Sequence, residues 1–212
     1  MGVTRARELQ AHFETCLTDV VGRRFTLPDG LLNVGGLCSL PGRTLWARLA
    51  RGGVLHSYLE VGVLHGAMFC CALTGDLDRA SGIDNFSQFN GQEAATRANL
   101  AAWRKPETQV SLHAGEAFQF QPEGAPFDWY YYDAGHTEAE TAQSLTYYMP
   151  SLADPFLFLA DDYNDPGVQA GVARGLAESG LRVEWSAVLT TDIPSDFNGW
   201  WAGIFAAVLS RG

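Results

Sequence analysis

The chain has 212 residues, 47% of them hydrophobic and 18% charged, which suits one domain with a sizeable core and not a disordered segment. Lys and Arg number 14 against 24 Asp and Glu, a net charge of −10 that argues against nucleic acid or an anionic membrane surface as partner. No apolar run reaches the ~18 residues that a spanning helix needs.

Charged residues in the opening MGVTRARELQAHF occupy the place where an export signal needs an apolar stretch, so a cytoplasmic protein is expected. Residues 5–21 then carry Leu9, Phe13, Leu17 and Val20 at helical spacing, with His12 on the polar side. Cys16, Cys38, Cys70 and Cys71 show no CxxC spacing and read as buried, reduced thiols. A stretch rich in Gly and Pro (LPDGLLNVGGLCSLPG) is irregular, and a short second helix covers 45–49 until Gly52-Gly53 stops it.

From His56 onward short apolar runs alternate with helices: HSYLEVG, ASGID, QVSLHAG, FDWYYYD and PFLFLAD, then RVEWSAVLT and GWWAGIFAAVL. Asn90-Gly-Gln-Glu93 and Thr137-Glu-Ala-Glu140 read as capping boxes, and Asp165-Pro166 as an N-cap with proline after it. Val168, Val172 and Leu176 form the buried stripe of the helix that Gly180 ends. Five strands, each followed by a helical segment, require crossovers and hence a parallel sheet with helices on both faces. Only a polar turn separates the last two runs, so they pair antiparallel at one edge. The expected fold is a doubly wound, Rossmann-like α/β sheet of seven strands, with an N-terminal helical cap or lid over 1–54 and the main body over 55–212.

Ligands of such sheets bind beyond the carboxyl ends of the strands, so the residues closing each run carry the information. They are Glu60-Val-Gly62-Val-Leu-His65-Gly66, Asp84, Gly115-Glu116, Asp133-Ala-Gly-His136 and Asp161-Asp162. Gly62 lets the chain leave its strand tightly, and Gly66 lets the next helix start close to the sheet or a ligand. Leu64 stands where a dinucleotide fingerprint needs its middle glycine, and Glu60 suits a positively charged ligand. Asp84 closes the second strand, where a carboxylate accepts from ribose hydroxyls; its plain alternative is a capping or loop aspartate.

Asp133, Asp161 and Asp162 end neighbouring strands and would repel one another unless a cation joined them. An all-oxygen set selects Mg²⁺, with Mn²⁺ or Ca²⁺ as substitutes. Residues adjacent in a strand face opposite ways, so Asp161 and Asp162 share an ion only if the strand has ended before them. The alternative is surface carboxylates that cap the following helix. His136 precedes a helix N-terminus and a candidate metal, both of which disfavour imidazolium, so a neutral general base is expected. His12, His56 and His113 read as packing or solvated groups, while His65 can line the cofactor pocket.

Over about residues 57–209 this pattern resembles the class I S-adenosylmethionine-dependent methyltransferases. YYYDAGH and FLADDY are similar to the metal-dependent small-molecule O-methyltransferases of the catechol and macrocin branches. The resemblance implies that Glu60, Gly62 and Gly66 form the first cofactor motif, with Glu60 and Gly62 at the methionine end. Asp84 would take the ribose and Gly115-Glu116 the adenine edge. Asp133, Asp161 and Asp162 would hold the metal, with Asp133 also touching the cofactor side and acting with His136 in catalysis. This sequence has His136 where the catechol branch often has lysine, and Leu152-Ala-Asp-Pro155 where the family has Pro-Gly-Gly.

The implied reaction is in-line methyl transfer to a hydroxyl of a phenol, vicinal diol or natural-product sugar. Loop 31–40 is the candidate lid, and Trp200, Trp201 and Tyr163 are candidate walls. Trp129–Tyr132 reads as strand core. The expected partners are the acceptor and, through the N-terminal arm, a second copy of the chain as a homodimer. The rival readings are a nicotinamide-dependent oxidoreductase, which leaves the three strand-end aspartates idle, and a non-catalytic binding relative.

Overall fold

The structure is a computed structural model describing residues 2–124, 126–193 and 195–212. Seven strands form one sheet: β1 (Ser57–Val61), β2 (Arg79–Asp84), β3 (Gln109–Ala114), β4 (Phe127–Tyr132), β5 (Leu152–Ala160), β6 (Leu181–Leu189) and β7 (Ile204–Arg211). Their spatial order is β3-β2-β1-β4-β5-β7-β6. β1 to β5 run parallel, and β7 lies antiparallel between β5 and β6. The final pair therefore forms as expected, with β6 rather than β7 as the edge. Strand order reverses between β1 and β4, which opens a crevice at their carboxyl ends.

The helices are α1 (Gly2–Val21), α2 (Leu40–Leu49), α3 (Ala67–Leu73), α4 (Glu93–Trp103), α5 (Glu138–Tyr148) and α6 (Pro166–Ser179). α1, α2 and α3, with Leu100 of α4, enclose one core on one face of the sheet, while α5 and α6 enclose a second on the other. Strand alternation divides FDWYYY between them: Trp129 and Tyr131 enter the first core, Tyr130 and Tyr132 the second. With both faces covered, a central strand buries every side chain and needs no polar side. No described helix is long and apolar enough to cross a membrane.

Several local expectations change. α2 begins at Leu40, well before 45, because Ser39 accepts from Gly42 N at 3.1 Å and Pro41 fits the first turn. The Asn90 capping box does not form; Asn90 takes φ 55 and α4 starts at Glu93 without a side-chain cap. At Thr137 half of the box forms: its hydroxyl accepts from Glu140 N at 3.2 Å, but the Glu140 carboxylate takes that hydroxyl's proton and not a free amide. The Asp165 cap forms as expected, accepting from Gly167 N at 2.6 Å. β3 is followed only by a 3-10 turn, Ala117–Gln119, since Pro122, Gly124 and Pro126 interrupt any longer helix. His12 is not on a solvated face: its Nε2 meets the Leu49 carbonyl at 2.8 Å, between α1 and α2. The four cysteines are free and buried, and burial pushes Cys16 and Cys38 up to about 11 and Cys70 up to about 12.

Candidate active site

A cavity of about 730 Å³, within the size range of small-ligand sites, opens at the carboxyl ends of the parallel strands. β1 leaves it at Gly62, whose φ is 95. A Cβ there would stand 1.7 Å from the carbonyl oxygen of Asp133, so this glycine admits the end of β4. Leu64, at φ 50, donates its N–H to Asp84 Oδ2 at 2.7 Å, while Phe86 N donates to Asp84 Oδ1 at 2.6 Å. Asp84 thus ties the turn after β1 to the turn after β2. Gly115 and Glu116 line the same wall, and Asn85 Nδ2 donates to the Glu116 carboxylate at 3.2 Å.

Gly66 is not among the lining residues. It caps α3 at φ 87, and a Cβ there would face Leu100 and Thr96 of α4, so its requirement is helix packing and not ligand approach. His65 also misses the cavity and lies against Gly35. His113 packs, as expected, stacked on Phe120 at 3.8 Å.

Glu60 lines the cavity although it is only 1% exposed. It accepts from the Tyr58 hydroxyl, which accepts in turn from Trp46 Nε1 at 2.8 Å. Burial, and then the charges of Asp84 and Asp161, hold its carboxyl well above the usual range.

The acidic cluster lies across from Asp84. β5 ends at Ala160, and Asp162 adopts φ 53, so strand alternation no longer governs where its side chain goes. One ligand atom each from Asp133, His136 and Asp162 lies within 4.8 Å of the others. His136 Nε2 is 2.8 Å from Asp162 Oδ2. Asp161 lines the cavity but stays 7% exposed and outside this trio. The left-handed turn carries Asp162 to His136 and leaves Asp161 behind, so the expected set of three aspartates becomes two aspartates and a histidine.

Burial raises Asp133 well above its usual range, reinforced by Asp161 and Asp162, and raises Asp161 to about 7, reinforced by Asp162. The hydrogen bond to Asp162 raises His136. Without a cation the carboxylate contact thus shifts the imidazole in the direction opposite to the one expected from a helix N-terminus and a bound metal together.

Loop 31–40 supplies Gly36, Leu37 and Cys38 to the wall, and Leu40 N donates to Phe197 O at 2.8 Å, joining it to the β6–β7 turn. Trp201 lines the cavity from that turn. Trp200 packs instead on the first core, and Tyr163 stacks on Phe205 at 5.0 Å. Sequence reasoning missed Phe89, Phe118, Gln119 and Met68, all of them lining residues. Phe89 is 64% exposed, five residues beyond Asp84 in the irregular segment that follows β2.

Residues 59–163 match a family model described as a methyltransferase domain. No curated protein matches the chain at a significant level. Three solved structures resemble it along nearly their full length. Cofactor-bound Rv0187 from MTB has a TM-score of 0.61 at 17% identity, covering 96% of this chain and 90% of that one. The O-methyltransferase TomG of Streptomyces achromogenes, in complex with SAM, has 0.58 at 20%, covering 95% and 90%. The O-methyltransferase of Bacillus cereus, in complex with SAH, has 0.61 at 18%, covering 92% and 91%. A nicotinamide-dependent oxidoreductase is not what this family match describes. Residues 59–163 thus carry a methyltransferase domain with its cavity at the sheet's switch point, and the chain has the fold of the S-adenosylmethionine-dependent methyltransferases it resembles.

Proposed function

We propose that the chain transfers the methyl group of S-adenosylmethionine to a hydroxyl oxygen of a small-molecule acceptor, with a divalent cation held by Asp133, Asp162 and His136. The observation that carries this reading is the gathering of those three ligand atoms within 4.8 Å, in the cavity that Asp84 and Glu60 also line. Buried, mutually repelling carboxylates fit a cation, since it offsets both the burial and the repulsion. One imidazole among the carboxylates suits Mn²⁺ at least as well as Mg²⁺. The ion, when bound, lowers the pKa of an acceptor hydroxyl and fixes its orientation.

The chain's own residues do the remaining work. Glu60 faces the cationic methionine end of the donor, Asp84 accepts from the ribose hydroxyls, and Gly115-Glu116 border the adenine. Asp133 and Asp162 fix the acceptor side, so that the nucleophilic oxygen meets the S–CH₃ bond in line. Leu37, Phe89 and Trp201 supply the apolar surface that keeps water from the reacting atoms. With the cation bound, His136 serves as a ligand and the acidified proton of the acceptor is lost to solvent as the acceptor binds. Without the cation, Nε2 stays engaged by Asp162 and Nδ1 is the nitrogen free to take that proton.

The contact between His136 and Asp162 also favours a second reading, in which this pair deprotonates the acceptor without a metal. Labelled S-adenosylmethionine with a panel of catechols, vicinal diols and amino-sugar glycosides, assayed with EDTA and with Mn²⁺ added back, separates the two. Label transfer that survives EDTA selects the metal-free dyad. If calorimetry detects no S-adenosylhomocysteine binding, both readings fall.

A further inference from the structure

Tyr58 and Tyr131 stand on the adjacent strands β1 and β4 and are fully buried on the α1–α3 side of the sheet. Each lies two residues before an acid that lines the cavity, and the strand period of two puts tyrosine and acid on the same side. Tyr58 donates its hydroxyl proton to Glu60, and Tyr131 donates to Asp133 Oδ2 at 3.0 Å. One indole of α2 serves both rings. Trp46 Nε1 donates to the Tyr58 oxygen at 2.8 Å, while the Trp46 ring meets Tyr131 edge-on at 4.6 Å.

Phenylalanine would fill either position without a hydroxyl to satisfy, and a phenol in such a core costs free energy unless it is bonded. Here both hydroxyls spend their single proton on a cavity acid. We infer that Tyr58 and Tyr131 are paired positioning residues, Tyr58 aiming Glu60 at the methyl donor and Tyr131 aiming Asp133 at the acceptor side. The inference rests on the roles proposed above for Glu60 and Asp133, and adds that separate tyrosines, braced by one tryptophan, govern the two halves of the site.

The test compares wild type, Tyr58→Phe and Tyr131→Phe, using calorimetry with S-adenosylhomocysteine and electron paramagnetic resonance titration with Mn²⁺ alone. Tyr58→Phe should weaken S-adenosylhomocysteine about tenfold and leave Mn²⁺ affinity unchanged. Tyr131→Phe should weaken Mn²⁺ by about 10–100-fold, the usual loss on removing a partner behind a metal ligand, and leave S-adenosylhomocysteine unchanged. A merely structural role would weaken both ligands together in each variant, and that pattern overturns the inference. Tyr58→Phe also leaves the Trp46 N–H without its acceptor, so a second comparison does not depend on its stability. In an Asp133→Asn background, Tyr131→Phe should cost no further Mn²⁺ affinity; a full additional loss counts against the pair. A wild type that binds S-adenosylhomocysteine but not Mn²⁺ removes the metal reading and the Tyr131 half with it, leaving the Tyr58 half to stand or fall on the calorimetry.

Discussion

His136 Nε2 sits 2.8 Å from Asp162 Oδ2, a contact between the ends of two neighbouring parallel strands. It exists because Asp162 turns into the left-handed region directly after β5, out of the ladder that would have fixed its direction. In the metal-free dyad the carboxylate orients the imidazole, and orientation is what a general base needs before its basicity matters; with a cation bound, the same two residues are its ligands. His136→Gln and Asp162→Asn should therefore both lower turnover by about 10²–10⁴-fold, the span attributed to a positioned base. Each should retain S-adenosylhomocysteine binding, since neither residue lies on the Asp84 side. Turnover within a factor of two of wild type in His136→Gln would remove it from the reaction.

Chelation gives a separate prediction. With Asp133, His136 and Asp162 as ligands, dialysis against EDTA should abolish methyl transfer, and Mn²⁺ should restore it at least as well as Mg²⁺. Ca²⁺, which prefers more oxygen ligands and longer bonds, should restore it least. The measurement is initial rate against added ion for the chelated protein.

Asp161 is buried beside two other carboxylates and takes no part in the three-residue group, so in the metal-free protein it destabilises the fold at neutral pH. Asp161→Asn removes that charge at nearly constant shape. The metal-free variant should melt higher than wild type, by about 2–4 °C for each kcal/mol recovered in a chain of this size. Added Mn²⁺ should narrow the gap, because a bound cation relieves the same repulsion in wild type. Differential scanning fluorimetry in EDTA checks the sign, and a lower melting point for the variant would contradict it.

The sequence exposed the scaffold because its signals are local and repeated. Apolar runs such as FDWYYY and PFLFLA can only be covered strands, and the strand-end rule then located Glu60, Asp84, Gly115, Glu116 and Asp133 on one cavity. The misses have physical causes. Gly66 looked like part of a ligand turn, yet it is needed for contact with Leu100, a residue far along the chain. The close group at this rim holds His136 and not Asp161 because Asp162 turns left-handed directly after β5, a backbone dihedral that residue type does not encode. Phe89 and Phe118 come from loops with no periodicity to read. The Asn90 box had the right letters, but a cap needs extended backbone and Asn90 is left-handed.

His12 provides the pH dependence. Burial between α1 and α2 lowers its pKa, although its bond to the Leu49 carbonyl opposes the shift. A histidine whose folded pKa lies below its unfolded value binds fewer protons when folded, so its stabilising contribution is complete above about pH 6.5 and declines as pH falls below that. Nearby Arg48 and Arg5 push the same way. The stability difference between wild type and His12→Gln should therefore shrink between about pH 7.5 and 5.5, as read from urea midpoints. A difference that grows on acidification would mean that the ring gains, and does not lose, by folding.

Gly62 and Gly66 flank one turn and both have positive φ, but their surroundings differ. A Cβ at Gly62 would sit 1.7 Å from a main-chain oxygen of Asp133, which cannot move without separating β1 from β4. At Gly66 the nearest atom is Leu100 Cδ2 at 3.2 Å, the far end of a side chain that can rotate. Gly66→Ala should thus cost about 1–2 kcal/mol, the left-handed penalty alone, and leave S-adenosylhomocysteine affinity unchanged. Gly62→Ala should cost more than about 3 kcal/mol and displace Asp133, so that ligand and Mn²⁺ affinities fall with stability. Urea denaturation alongside calorimetry distinguishes the two. Equal effects at both positions would mean that the turn is ordinary backbone and that its first glycine does not set the distance between the donor and acceptor halves of the site.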